Sequence, residues 1–195
     1  DSTVRLANLQ AGEFDMIERL AATDVAQVSG ISDLQMQEAV GLGYMAIYNN
    51  VGNGAQAENP LGQDKRVRQA FSKAIDREAL MQVVFEGQAR AGNQPFPPTS
   101  RWYDASNPVP PRDVEGAKAL MAEAGHERVS ILLQHANNPV VTQMMQVIQA
   151  MVAEAGFDVE LRATEFATML AEQTAGNYQM SRSDWSGRPD PDGNL

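Results

Sequence analysis

Few side chains in this sequence could carry chemistry. There is no cysteine, which removes disulfides, thiolate-bound zinc and thiol nucleophiles together, and only His126 and His135 remain for metal ligation or general-base work. His135 stands in Gln134-His135-Ala136-Asn137-Asn138, at an expected strand end just before a helix N-terminus, where ligands commonly meet an α/β sheet. His135 and Asn137 are therefore candidates for facing a ligand, with a surface or capping role as the alternative for the histidine. His126 follows Gly125 and reads as a surface residue, and no acid-rich helical spacing joins the two histidines into a metal pair. Asp190-Pro191-Asp192-Gly193-Asn194 alternates oxygens before a glycine, as a calcium loop does. The ring of Pro191, the place of Gly193 and the missing bidentate Glu count against that reading.

Gly41-Leu42-Gly43 and Gly52-Asn53-Gly54 lack the spacing and the Lys of a phosphate loop and read as turns. No serine sits in a Gly-x-Ser-x-Gly elbow, and any carboxylate pair picked from 25 acidic residues would be arbitrary. No catalytic residue, metal site or cofactor is assigned. The alternative to a binding protein is an α/β enzyme domain of hydrolase type using His135 as acid or base.

The elements that must position such residues follow from periodicity and caps. Val4, Leu6, Ala7 and Leu9 before Gly12 predict a short helix, and another is expected to start at Thr23 or Asp24. Strand character marks residues 14–17, 34–37 and 44–48, with a loop over 49–62. Residues 64–85 are helix-forming, with Asp76 placed to cap a second helix within them. Six prolines in residues 87–112 remove too many donors for regular structure and predict an extended surface loop. Asp113 opens a helix closed near Gly125, a strand follows at 129–133, and Asn138-Pro139 is an Asn cap with Pro at the first helical position. That helix should end near Gly156, before a strand at 157–161, a helix including 166–170 and a last strand at 178–185. Strands alternating with helices after residue 110 predict right-handed βαβ units.

A length of 195 residues with 43% hydrophobic and 21% charged side chains suffices for a substantial core. The formal charge of −10 disfavours nucleic acid and anionic lipid as partners. No stretch reaches the roughly 18–20 apolar residues of a membrane span; residues 140–152 are broken by Thr142, Gln143, Gln146 and Gln149. The start lacks the basic and apolar regions of a signal peptide, which is read as a mature segment or an excised piece.

Asn49-Asn50, Asp64-Lys65-Arg66-Val67-Arg68-Gln69-Ala70-Phe71, Ala74-Ile75-Asp76-Arg77, Gly87 and Pro97-Pro98 occur in order. They are followed by Asp113, Ala117 to Leu120, Glu123-Ala124-Gly125, Gly156, Val159 and Asp184-Trp185-Ser186-Gly187 with Asp190-Pro191-Asp192. This string resembles the extracellular solute-binding proteins of dipeptide, oligopeptide and nickel ABC importers, the family 5 type, over nearly the whole chain. The resemblance implies an α/β fold with a mixed sheet flanked by helices, residues 1–195 forming one lobe of a larger two-lobed periplasmic binding protein-like molecule. The opening residues 4–15 resemble the segment entering the second lobe, and residues 192–195 the return toward the first.

It also implies a non-enzymatic, monomeric carrier of a peptide or peptide-like solute, periplasmic or tethered outside the membrane, with an ABC permease as partner. Residues just after the late Trp face the ligand in that family, so Trp185, Ser186 and Arg188 join His135 and Asn137 as expected ligand contacts. Peptide-binding members often carry Asp three positions after that Trp to hold an α-amino group, whereas this sequence has Arg188. A guanidinium repels an ammonium and favours carboxylate or phosphate; the alternative is an Arg188 turned to solvent or paired with Asp190 or Asp192.

Overall fold

Helix starts in this chain are written in side chains that accept from the first free backbone N–H groups. In a computed structural model, which describes residues 2–190 and 192, the order is α1 (Ser2–Gln10), a 3₁₀ turn at Ala22–Asp24, α2 (Val25–Ser29), β1 (Tyr44–Asn49), a 3₁₀ turn at Ala55–Ala57 and α3 (Pro60–Gln63). Then follow α4 (Lys65–Lys73), α5 (Arg77–Phe85), α6 (Val114–Glu123), β2 (Val129–Ala136), α7 (Pro139–Ala153), β3 (Phe157–Thr164), α8 (Phe166–Ala175) and β4 (Met180–Trp185). Asp64 Oδ1 accepts from Arg66 N at 2.8 Å, Asp76 Oδ1 from Ala79 N at 2.9 Å and Asp113 Oδ1 from Gly116 N at 2.8 Å, opening α4, α5 and α6. Asn138 Oδ1 accepts from the amides of Val140 and Val141 at the head of α7. Each such cap contributes roughly 1 kcal/mol.

The four strands lie in the order β1-β4-β2-β3, with β2 parallel to β3 and β4 and with β1 antiparallel to β4. Register pairs Leu133 with Met180 and Leu161, and Ile131 with Val159. Since side chains alternate across a strand, Val129, Ile131, Leu133, Phe157, Val159 and Met180 share one face. That face is buried with Val67, Phe71 and Leu80 of α4 and α5, Met121 of α6 and Met144, Met145, Ile148 and Val152 of α7. Phe71 meets Phe157 edge-on, ring centres 5.1 Å apart, a contact worth about 0.5–1.5 kcal/mol beyond burial.

The other face carries Gln134, Ser181 and Arg162 and is covered by α8. Arg162 donates to Gln134 Oε1 at 2.6 Å and to Glu172 Oε2 of α8 at 2.7 Å. Gln134 and Gln173 of α8 both donate to Ser181 Oγ, at 3.3 and 2.5 Å. The expected mixed sheet flanked by helices is what the chain forms.

Three expectations are corrected. Residues 14–17 and 34–37 have strand-like composition and form no strand, because no neighbouring segment offers them a ladder, and an unpaired four-residue strand has nothing to offset its ordering cost. Within the loop expected at 49–62, Asn59 Oδ1 accepts from Gly62 N at 3.0 Å and Pro60 takes the first helical position, which makes the one-turn α3. The strand expected at 129–133 runs on to Ala136, pairing with β3 throughout. Residues 87–112 hold no helix or strand, and Gln94 ties them together by accepting from Asp104 N at 2.9 Å and donating to Asp104 O at 3.0 Å.

Candidate binding site

The carboxyl ends of β2, β3 and β4 point to one edge of the sheet, the edge at which open α/β sheets meet their ligands. That edge is completed by the heads of α7 and α8 and by the start of the antiparallel β1, where Tyr44 pairs with Trp185. Trp185 ends β4 on the α8 side of the sheet, opposite the core, by alternation from Ser181 and Ser183. It stays 37% exposed, which for an indole is a large apolar surface left to water.

Two hollows meet at Trp185. One is a groove of about 450 Å³ between α8 and the β1–β4 edge, lined by Tyr48, Phe166, Leu170, Gln173, Ser183, Trp185 and others including Ser186. Phe166 is 51% and Leu170 39% exposed on its wall. The other is a recess of about 20 Å³ between residues 95–100 and the turn after β4, lined among others by Tyr44, Phe96, Trp185, Gly187 and Arg188. That turn is fixed by close backbone approach, since a Cβ on Gly187 would collide with the carbonyl of Leu42.

Electrostatics separates the two hollows. The Arg188 side chain is exposed, donates to Gly187 O at 3.3 Å and forms no ion pair with Asp190 or Asp192 among the described residues. In the groove, the phenol of Tyr48 is pushed well above its ordinary pKa by burial and stays neutral. The carboxylate of Asp184, at the groove's edge, is engaged by the buried guanidinium of Arg182 at 2.6 Å.

Of the residues named from the sequence, the structure brings Trp185, Ser186 and Arg188 to these hollows. Asn137 is exposed on the same sheet edge, its N–H donating to Thr164 O at 2.9 Å, and it lines neither hollow. His135 points the other way. It is 1% exposed on the core face, with Nδ1 2.9 Å from the carbonyl oxygen of Ala136, so it is not brought together with the others, and an imidazole so enclosed has no access for acid–base work on a substrate. Phe166, Leu170, Gln173 and Tyr48 were not singled out from the sequence. Among the described residues no three His, Asp or Glu side chains group to hold a metal ion. Pro191, Gly193 and Asn194 of the turn at 190–194, and Leu195, lie outside the described residues.

A model of the family described as bacterial extracellular solute-binding proteins, family 5, matches residues 1–195. The chain belongs to this family. It is 31% identical over 202 residues to heme-binding protein A of Haemophilus influenzae, spanning 100% of this chain and 36% of that protein. It is 29% identical to the dipeptide-binding protein of Escherichia coli, over 98% of this chain and 36% of the relative. Among solved structures, the periplasmic binding protein DppA of Helicobacter pylori, in complex with the peptide STSA, superposes with a TM-score of 0.84 at 26% identity, over 100% of this chain and 37% of that one. The oligopeptide-binding protein AppA of Bacillus subtilis, in complex with a nonapeptide, gives 0.80 at 25% identity, over 98% and 40% of the two chains. The chain thus spans well under half the length of these relatives. Its sheet and helices are those of the periplasmic binding protein fold, and no helix among the described residues is long and apolar enough to cross a membrane.

Proposed function

We propose that the chain is one lobe of the substrate-binding component of an ABC importer, which takes up a peptide or peptide-like solute at the carboxyl edge of the sheet and delivers it to a membrane permease from the periplasm or a tethered position outside the membrane. The observation that carries this reading is the exposed indole of Trp185 set between two hollows at that edge, with the exposed guanidinium of Arg188 two residues beyond Ser186 and, among the described residues, no nucleophile-and-base pair beside it. The relatives named for dipeptides, and the neighbour holding STSA, support a peptide-like solute. Heme-binding protein A shows that the family's cargo is wider, so the chemistry of this site has to choose.

Arg188 makes the choice at one end of the solute. Its planar fork suits a carboxylate or phosphate, a charged hydrogen bond of this kind contributes about 1.5–3 kcal/mol, and an α-ammonium at the same place is repelled. The test uses the full-length protein and the solute it carries through purification, identified by mass spectrometry and then titrated calorimetrically. Arg188→Lys is expected to weaken binding and Arg188→Asp to weaken it further, by tenfold or more at low salt, where screening is least. If Arg188→Asp binds the native solute as tightly as the unsubstituted protein, the anionic end is not held here.

A further inference from the structure

The groove along α8 has its own selectivity, set by a side chain that the rest of the molecule locks in place. Gln173 lies on the groove wall, and its Nε2 is committed to Ser181 Oγ at 2.5 Å. Ser181 is fully buried and accepts a second bond from Gln134, which is itself oriented by Arg162 through Oε1 at 2.6 Å. Arg162 is anchored in turn by Glu172, the residue preceding Gln173 on α8. Ser181 Oγ thus accepts from the amides of both Gln134 and Gln173, and Gln173 Oε1 has no partner among the described residues. Elsewhere on the wall Phe166, Leu170 and Trp185 contribute hydrocarbon, Asp184 is paired with Arg182, and the buried Tyr48 hydroxyl is a second polar atom without a partner among the described residues. A volume of about 450 Å³ falls in the range of small-molecule sites.

We propose that this groove admits a bulky, uncharged, largely aromatic side chain of the solute and that Gln173 Oε1 reads a hydrogen-bond donor on it, an indole N–H being the type. The inference rests on the solute-binding reading above and names the class of solute within it. An apolar side chain without a donor gains the burial and leaves Oε1 desolvated and unpaired, which costs binding; a cationic one loses its hydration and meets, among the described lining residues, only the Asp184 carboxylate already held by Arg182.

The test is calorimetry on the full-length protein, stripped of carried solute, with three N-acetylated dipeptides that share a free carboxylate: acetyl-Ala-Trp, acetyl-Ala-(1-methyl-Trp) and acetyl-Ala-Ala. Acetyl-Ala-Trp is expected to bind at least tenfold more tightly than acetyl-Ala-Ala, and methylation of the indole nitrogen to remove at least threefold of that. Gln173→Met should erase the difference between the two tryptophan peptides while keeping their advantage over acetyl-Ala-Ala. Gln173→Glu, which keeps an acceptor, should keep the difference. Equal binding of the three peptides by the unsubstituted protein leaves the peptide reading standing and overturns this one, whatever the variants do. The same methylation effect in Gln173→Met also overturns it. Binding of none of the three, by a protein that retains its own solute, overturns the peptide reading and this inference with it.

Discussion

The two faces of the sheet solve different problems with the same four strands. On one, Val129, Ile131, Leu133, Phe157, Val159 and Met180 disappear into a core shared with α4 to α7, with His135 buried on the same face. On the other, α8 is held by a hydrogen-bonded chain of Glu172, Arg162, Gln134, Ser181 and Gln173, and it leaves a groove uncovered beside it. Apolar packing is dense and non-directional, so it stabilises without caring which way a side chain is turned. A hydrogen-bonded polar layer stabilises less and fixes orientation more. The first face should therefore govern stability, and the second should govern what is bound.

The largest effect that separates the faces is expected at Leu133, which has no exposure at all. Leu133→Ala should cost about 2–5 kcal/mol in urea unfolding, from lost transfer energy and the cavity left behind, with solute affinity unchanged in the molecules that remain folded. Affinity falling in step with stability would mean that the faces are not separable. A smaller stability loss, roughly 1–3 kcal/mol, is expected for Arg162→Met, which leaves the buried amide of Gln134 and the Glu172 carboxylate without their shared donor. Here selectivity among solutes should change as well, measured by competition binding. Trp185→Phe should move affinity by about tenfold, roughly 1.4 kcal/mol, and melting of the apo form by little, since 37% of the indole is already in water. A large loss of apo stability at unchanged affinity would make Trp185 a packing residue.

The smallest effect is in acid and lies far from the groove. Hydrogen bonds from the Arg66 side chain and backbone hold Asp64 down to about 2 from an ordinary 3.8, and its side chain caps α4. A carboxyl depressed in the folded state contributes stability that is present above its ordinary value and is lost as pH falls through the folded one. The urea midpoint should therefore drop between pH 4 and pH 2. Asp64→Asn, which can still cap, should flatten that drop slightly and leave binding near neutral pH untouched. A pair this exposed is screened, so high salt should shrink the effect further.

How much was legible in the sequence follows the same division between local and distant causes. Caps at Asp76, Asp113 and Asn138 act within three residues of themselves, and each of those helices begins where its cap predicts. Residues 14–17 carry the composition of a strand, yet composition supplies no partner, and pairing is decided elsewhere in the chain. His135 illustrates a signal that was present and outweighed. Its parity with Val129, Ile131 and Leu133 sends it to the core once β2 is allowed to continue, while its closeness to the head of α7 suggested the ligand edge.

Trp185, Ser186 and Arg188 could be named because the resemblance attaches them to a short motif. Phe166, Leu170 and Gln173 had no such signal, for on α8 they read as an ordinary amphipathic helix. They become a wall only when the β1–β4 register sets Tyr48 and Ser183 across from them.

Hydrogen–deuterium exchange on the full-length protein, with and without the solute it carries through purification, tests the central claim most directly. Binding is predicted to protect residues 166–173 and 183–190 while exchange in Val129–Leu133 and at the buried turns of α7 stays the same. Protection that spares 166–173 and 183–190 and falls elsewhere on the chain would contradict the account.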